Sequence, residues 1–150
     1  VDVGWEVSGA AFAMKPRSRG RVSLVSADPR APLHVEHGFL DDPVDAATVA
    51  TAVDELRAFG ETDTVRPLVD GELRPGPGVD SASYVRENAR GFFHPVGTCA
   101  IGPVVDSSCH VLGCEGLVVA DASVMPTIPI ANTNLTVGAI AERVAELLAD

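Results

Sequence analysis

Three places in this chain carry side chains able to handle a proton, an anion or an amide hydrogen bond. The first is His94, in Phe92-Phe93-His94-Pro95-Val96-Gly97-Thr98-Cys99. Imidazoles titrate near neutrality, so such a group can take a proton at working pH. Flanking aromatics and Gly97 suit a pocket wall that a flat ligand approaches closely. The same residues equally suit a histidine that hydrogen-bonds a loop carbonyl. The second place is Asn132-Thr133-Asn134, ahead of an apolar-periodic run. A helix start there would aim unpaired N–H groups and partial positive charge at an anion, although Asn and Thr are also ordinary caps. The third is Asp121, which ends the apolar stretch Gly116-Leu117-Val118-Val119-Ala120. Ligands gather at strand carboxyl ends in open α/β sheets. An acid at that point also caps a following turn, through Ser123 or a neighbouring N–H.

Positioning these groups requires elements on both sides of them. Residues 9–14 and 21–26 are strand-like, and the polar Lys15-Pro16-Arg17-Ser18-Arg19-Gly20 between them predicts a hairpin. Ser26-Ala27-Asp28-Pro29 reads as a turn, and residues 33–40 as a further short strand of weak pattern. Val49, Ala52, Val53 and Leu56 fall at helical spacing, which predicts a helix over 43–59 with Asp45 as N-cap and Gly60 at its end. Residues 62–79 read as irregular, and Asp80 caps a short helix running to about Asn88. Residues 116–121 read as a buried strand. Val137, Ile140, Ala141, Val144, Leu147 and Leu148 define a last amphipathic helix.

Composition narrows the function classes. With 46% hydrophobic and 21% charged residues, the 150-residue chain has a globular balance and enough length for a real core. Its formal net charge of −10 repels phosphate backbones and anionic lipid, so no nucleic acid partner is expected. No apolar run reaches the roughly 18–20 residues of a membrane span. Cys99, Cys109 and Cys114 form an odd, sparse set without a C-x-x-C pair. A reducing cytoplasm is therefore expected, with buried or half-buried thiols favoured over a zinc site shared with His94 and His110. The first residue is Val1 rather than Met, which fits a fragment or a processed product. G-x-G-x-x-G, P-loop and G-x-S-x-G patterns are absent from the sequence.

Taken in order, the motifs resemble those of the glucose–methanol–choline (GMC) oxidoreductases. Lys15-Pro16-Arg17-Ser18-Arg19-Gly20-Arg21-Val22 with Ser26-Ala27-Asp28-Pro29 looks like the family's K-P-x-S-R-G-x-V stretch and S-x-D-P turn. His94-Pro95-Val96-Gly97-Thr98-Cys99 resembles its H-P-x-G-T-C motif. Asp121-Ala122-Ser123-Val124-Met125-Pro126 and Asn132-Thr133-Asn134 resemble its D-A-S-x-M-P and N-T-N segments. Two departures stand out: Ala100-Ile101 follows Cys99 where an Arg-Met pair is common, and Ser107-Ser108 replaces a usual proline.

The resemblance implies an FAD enzyme that oxidises an alcohol to a carbonyl. It assigns His94 as the base, or as the group that holds the alkoxide. Asn132 becomes its partner, orienting the substrate oxygen because an amide cannot act as a general base. Asn134 and Leu135 would offer backbone donors to the flavin, Asp121 and Ala122 would lie along the rest of FAD, and Phe92, Phe93 and Val96 would line the substrate side. No metal is implied. The family's N-terminal dinucleotide-binding segment is absent from this sequence, so that portion, in the same or another chain, is an expected partner.

The expected fold is α+β, with an antiparallel sheet and packed helices. Residues 1–115 would form a substrate-binding domain. Residues 116–150 would supply a C-terminal strand and helix that complete an FAD-binding α/β domain. The competing readings are a non-catalytic remnant or binding module that keeps the substrate-domain fold, and lyase chemistry on the same scaffold.

Overall fold

The computed structural model describes residues 4–149; the outermost residues of the two expected domains lie outside that range. The chain is α+β, with one two-stranded antiparallel sheet and three α-helices among the described residues. It divides into two compact units, one formed by the stretch up to Ala13 with Phe39–Arg90, the other by Met14–Gly38 with the chain from Gly91 onward.

The first unit is built on helix α1, Pro43–Gly60, packed against helix α2, Ser81–Asn88. The N-cap of α1 is Asp42, not Asp45 as the sequence suggests. The Asp42 side chain accepts from the Val44 N–H at 2.8 Å. Proline decides this register: Pro43 lacks an N–H, suits the first helical position, and keeps the residue before it extended, which is N-cap geometry. Asp45 lies instead in the first turn, where it is buried. Asp80 caps α2 as expected, accepting from the Ser83 N–H at 2.8 Å. Between the helices runs a loop with a short 3₁₀ turn, Arg66–Leu68. Arg57 of α1 fastens this loop, donating to Glu72 Oε1 at 2.8 Å and to the Gly76 carbonyl at 3.3 Å.

The second unit holds strands β1, Arg21–Ser23, and β2, His34–Glu36, with Val22 opposite Val35. The expected hairpin between residues 9–14 and 21–26 does not form; β1 pairs with the later, weakly patterned segment. Gly20 shows how closely the two approach, because a Cβ there would collide with the Glu36 carbonyl oxygen. Val105, Cys109, Val124 and Val144 form the core of this unit, flanked by Val104, Val111, Val118, Val119, Ala120 and Ile140. Residues 116–121 do not form the expected strand. Val118 makes a single antiparallel bridge to His110, flanked by the bonds from Val111 N–H to the Leu117 carbonyl and from Val119 N–H to the Cys109 carbonyl, and the pairing extends no further. Helix α3, Thr133–Ala149, closes the unit and buries Val144, while Leu148 of its expected apolar face stays exposed.

Candidate functional site

All the sequence-derived candidates fall in the second unit. His94 is half-buried, with the Phe92 ring edge-on to its imidazole at a centroid distance of 5.3 Å. Phe93 stands clear of the core at 91% exposure and adopts a left-handed φ of 57°. Val96 is half-buried. This arrangement gives the imidazole an aromatic wall on one side and a mostly open apolar surface beside it.

The segment after His94 is laid onto the turn that Asp121 begins. The Gly97 N–H donates to the Ala122 carbonyl at 3.4 Å, Cys99 to Ser123 at 2.9 Å, and Ile101 to Val124 at 2.9 Å. Three main-chain bonds therefore tie the two motifs together although they lie far apart in sequence. The receiving element is a 3₁₀ turn, Ala122–Val124, whose Val124 is fully buried and which is followed by buried Met125. Gly97 is needed for so close an approach: it sits at φ +89°, and a Cβ would meet the Met125 carbonyl oxygen at 3.3 Å. The same turn packs against α3.

Asp121 caps this turn. Its Oδ1 accepts from the Ser123 N–H at 2.8 Å and from the Ser123 hydroxyl at 2.5 Å. The two Ser123 bonds, side chain first, hold the Asp121 carboxyl below the usual carboxylate range. Of the two roles open to this acid, capping is therefore present in the fold, and its exposed position leaves the outer face of the carboxylate accessible.

Asn132 is exposed immediately ahead of α3, Thr133 is buried, and Asn134 and Leu135 are exposed in the first turn, Leu135 at 85%. First-turn N–H groups have no acceptor within their own helix. The structure thus links the His94 segment to Ala122, Ser123 and Val124 by direct hydrogen bonds, and links that turn to α3 by packing. Sequence reasoning missed Met125 as the backstop of Gly97. The left-handed glycine was the only available signal, because the identity of a contacting carbonyl leaves no trace in residue type. A shallow depression elsewhere, along α1 and lined by Val44, Ala47, Thr51 and Glu55, includes none of the candidate residues.

Comparison with known proteins agrees with this arrangement of motifs. A family model described as GMC oxidoreductase matches residues 16–141. An alcohol dehydrogenase [acceptor] from Pseudomonas putida is 36% identical over 99% of this chain and 28% of its own length. An oxygen-dependent choline dehydrogenase from Chromohalobacter salexigens is 35% identical over 89% of this chain and 26% of its own. Among solved structures, an Aspergillus oryzae formate oxidase studied for FAD modification superposes with a TM-score of 0.82. It is 28% identical, over 89% of this chain and 25% of that one. The chain thus spans little more than a quarter of the length of the relatives it matches. By sequence and by fold, it belongs to the GMC oxidoreductase family.

Proposed function

We propose that this chain is the C-terminal, substrate-side portion of an FAD-dependent oxidoreductase acting on CH–OH groups, and that it works with a flavin-binding portion in the same or another chain. The observation that carries the reading is the attachment of Gly97, Cys99 and Ile101 to the carbonyls of Ala122, Ser123 and Val124. This joins the segment bearing the one well-placed imidazole to the turn that precedes α3. The relatives' names, an alcohol dehydrogenase and a choline dehydrogenase, support an alcohol as substrate.

In this reading His94 accepts the hydroxyl proton, or holds the oxygen once the proton has left. The Asn132 amide donates to that same oxygen and orients it. Phe92, Phe93 and Val96 line the substrate side, a reading that the exposed rings of Phe92 and Phe93 support. The donor set fits an anionic, extended cofactor: the 17-residue helix α3 presents the exposed Asn134 and Leu135 at its positive end. Asn134 and Leu135 would hold FAD through backbone N–H groups, with Asp121 and Ala122 alongside. FAD, when bound, supplies the hydride acceptor.

Residues 1–115 are accordingly assigned to substrate binding, and residues 116–150 to the edge of the flavin domain. Leu117, Ile130, Leu135 and Leu148 are each at least half exposed, which supports coverage of that region by further protein. No described helix is long and apolar enough to cross a membrane. The acidic balance disfavours nucleic acid, and the sparse, odd cysteine set supports a cytoplasmic setting.

The test is His94→Ala in the enzyme assembled with its flavin-binding portion. Loss of a general base should lower alcohol turnover about 10²-fold or more, with the flavin still bound by its absorbance spectrum. Near-normal turnover would remove the base assignment. No turnover of any alcohol by the unsubstituted, flavin-loaded enzyme would favour a non-catalytic module.

A further inference from the structure

The bend Pro126-Thr127-Ile128-Pro129-Ile130-Ala131 carries Asn132 to the start of α3. It leaves the core at buried Met125 and rejoins it at buried Thr133. Between those anchors the chain has few means of holding itself. Pro126 and Pro129 have no N–H to donate, and Pro126, Thr127, Ile130 and Ala131 are all exposed, Ile130 at 72%. Near its midpoint, the Ile128 carbonyl accepts from Lys15 Nζ at 2.6 Å, across 113 positions of sequence. A charged donor makes a stronger hydrogen bond than a neutral one. The bond also reaches a residue whose position along the bend fixes where Asn132 emerges.

We propose that Lys15 is a positioning residue for Asn132: its ammonium pins the Ile128 carbonyl and so sets the place of the Asn132 amide ahead of α3. This rests on the oxidoreductase reading, in which Asn132 orients the substrate oxygen. Lys15 acts on the backbone only and touches no reacting atom. Its side chain is exposed and takes no part in the core, so replacing it removes the tether without emptying a packed site.

Two readouts test the role. In the chain itself, Lys15→Met should shift the backbone amide resonances of residues 127–134 and lower their order parameters, and Lys15→Arg, which keeps a charged donor, should largely restore both. In the flavin-loaded enzyme, Lys15→Met should lower kcat about 5- to 20-fold with a smaller change in KM, as expected for loss of orientation rather than of binding. Because the effect runs through Asn132, it should shrink to within about 2-fold when Asn132 is already Ala. Unchanged resonances and order parameters at 127–134 in Lys15→Met overturn the proposal, as does a full kcat loss that persists in the Asn132→Ala background. His94→Ala and Asn132→Ala run in the same assay separate the failures. If both impair turnover and Lys15→Met does not, only the Lys15 role falls; if neither does, the oxidoreductase reading fails and takes this role with it.

Discussion

A Cβ atom on Gly97 would stand 3.3 Å from the main-chain carbonyl oxygen of Met125. The contact arises because the loop after His94 is bonded directly to the 122–124 turn, so two backbones meet with no side chain between them. Gly97→Ala has two costs: the left-handed φ of +89°, worth about 1–2 kcal/mol for a residue with a Cβ, and a displacement of a few tenths of an ångström at Met125. Urea unfolding should show a loss of about 1–2 kcal/mol with an unchanged denaturant slope. A loss below about 0.5 kcal/mol would mean that the loop can slide off the turn at little cost.

The Asp121 capping interaction makes a pH prediction. Its folded pKa lies below the ordinary carboxylate value of 3.8 because Ser123 donates two hydrogen bonds to the charged form. The charged carboxylate therefore contributes stability above pH 3.8 that disappears as the pH falls through the lower, folded pKa. Asp121→Asn should be less stable than the parent at pH 6, and the gap should close as the pH falls through the folded Asp121 pKa. Asp28, Asp80 and Asp106 are shifted in the same direction, so only the difference between the two proteins isolates Asp121. A stability gap that stays constant as the pH falls from 6 until the carboxylates are protonated would assign the effect to shape rather than charge.

At the start of α1 the sequence points to Asp45 as the cap, and the structure puts Asp42 there. Asp42 caps the Val44 N–H, whereas Asp45 is buried within the first turn. Replacing Asp42 with Ala should cost about 1 kcal/mol, the usual value of an N-cap, and thermal unfolding monitored by far-UV circular dichroism would show it. An Asp42→Ala protein as stable as the parent would indicate that Pro43 alone suffices to start the helix.

The misplaced cap is a local matter that Pro43 decides, whereas the absent strands are not. Val49, Ala52, Val53 and Leu56 repeat at helical spacing, so α1 is visible in local pattern, and α2 and α3 are visible for the same reason. Strand identity is not local. Residues 9–14 look strand-like, yet β1 takes 34–36 as its partner, and 116–121 meet only the short 109–111 stretch, through a single bridge. The candidate site divides in the same way. His94, Asp121 and Asn132 stand out by residue type and spacing, but the bonds that join their segments run between main-chain atoms, which residue type does not encode.

Arg57 supplies the last prediction. Its guanidinium reaches Glu72 Oε1 at 2.8 Å, Ser81 Oγ at 2.8 Å and the Gly76 carbonyl at 3.3 Å, and the Ser81 hydroxyl donates onward to Asp54 at 2.5 Å. One planar group thus joins α1, the start of α2 and the loop between them, and the bond to Glu72 reinforces its charged form. Lysine keeps the charge but loses the fork that addresses several acceptors at once. Arg57→Lys should therefore lower the thermal midpoint nearly as far as Arg57→Met. Glu72→Gln should be harmful alone and nearly silent beside Arg57→Met, since the two residues share one interaction. Thermal unfolding of the parent, the three single variants and the Arg57→Met/Glu72→Gln double variant decides the matter. Strictly additive losses would mean that the loop is held by other contacts, and that the Arg57 fork only decorates a loop already in place.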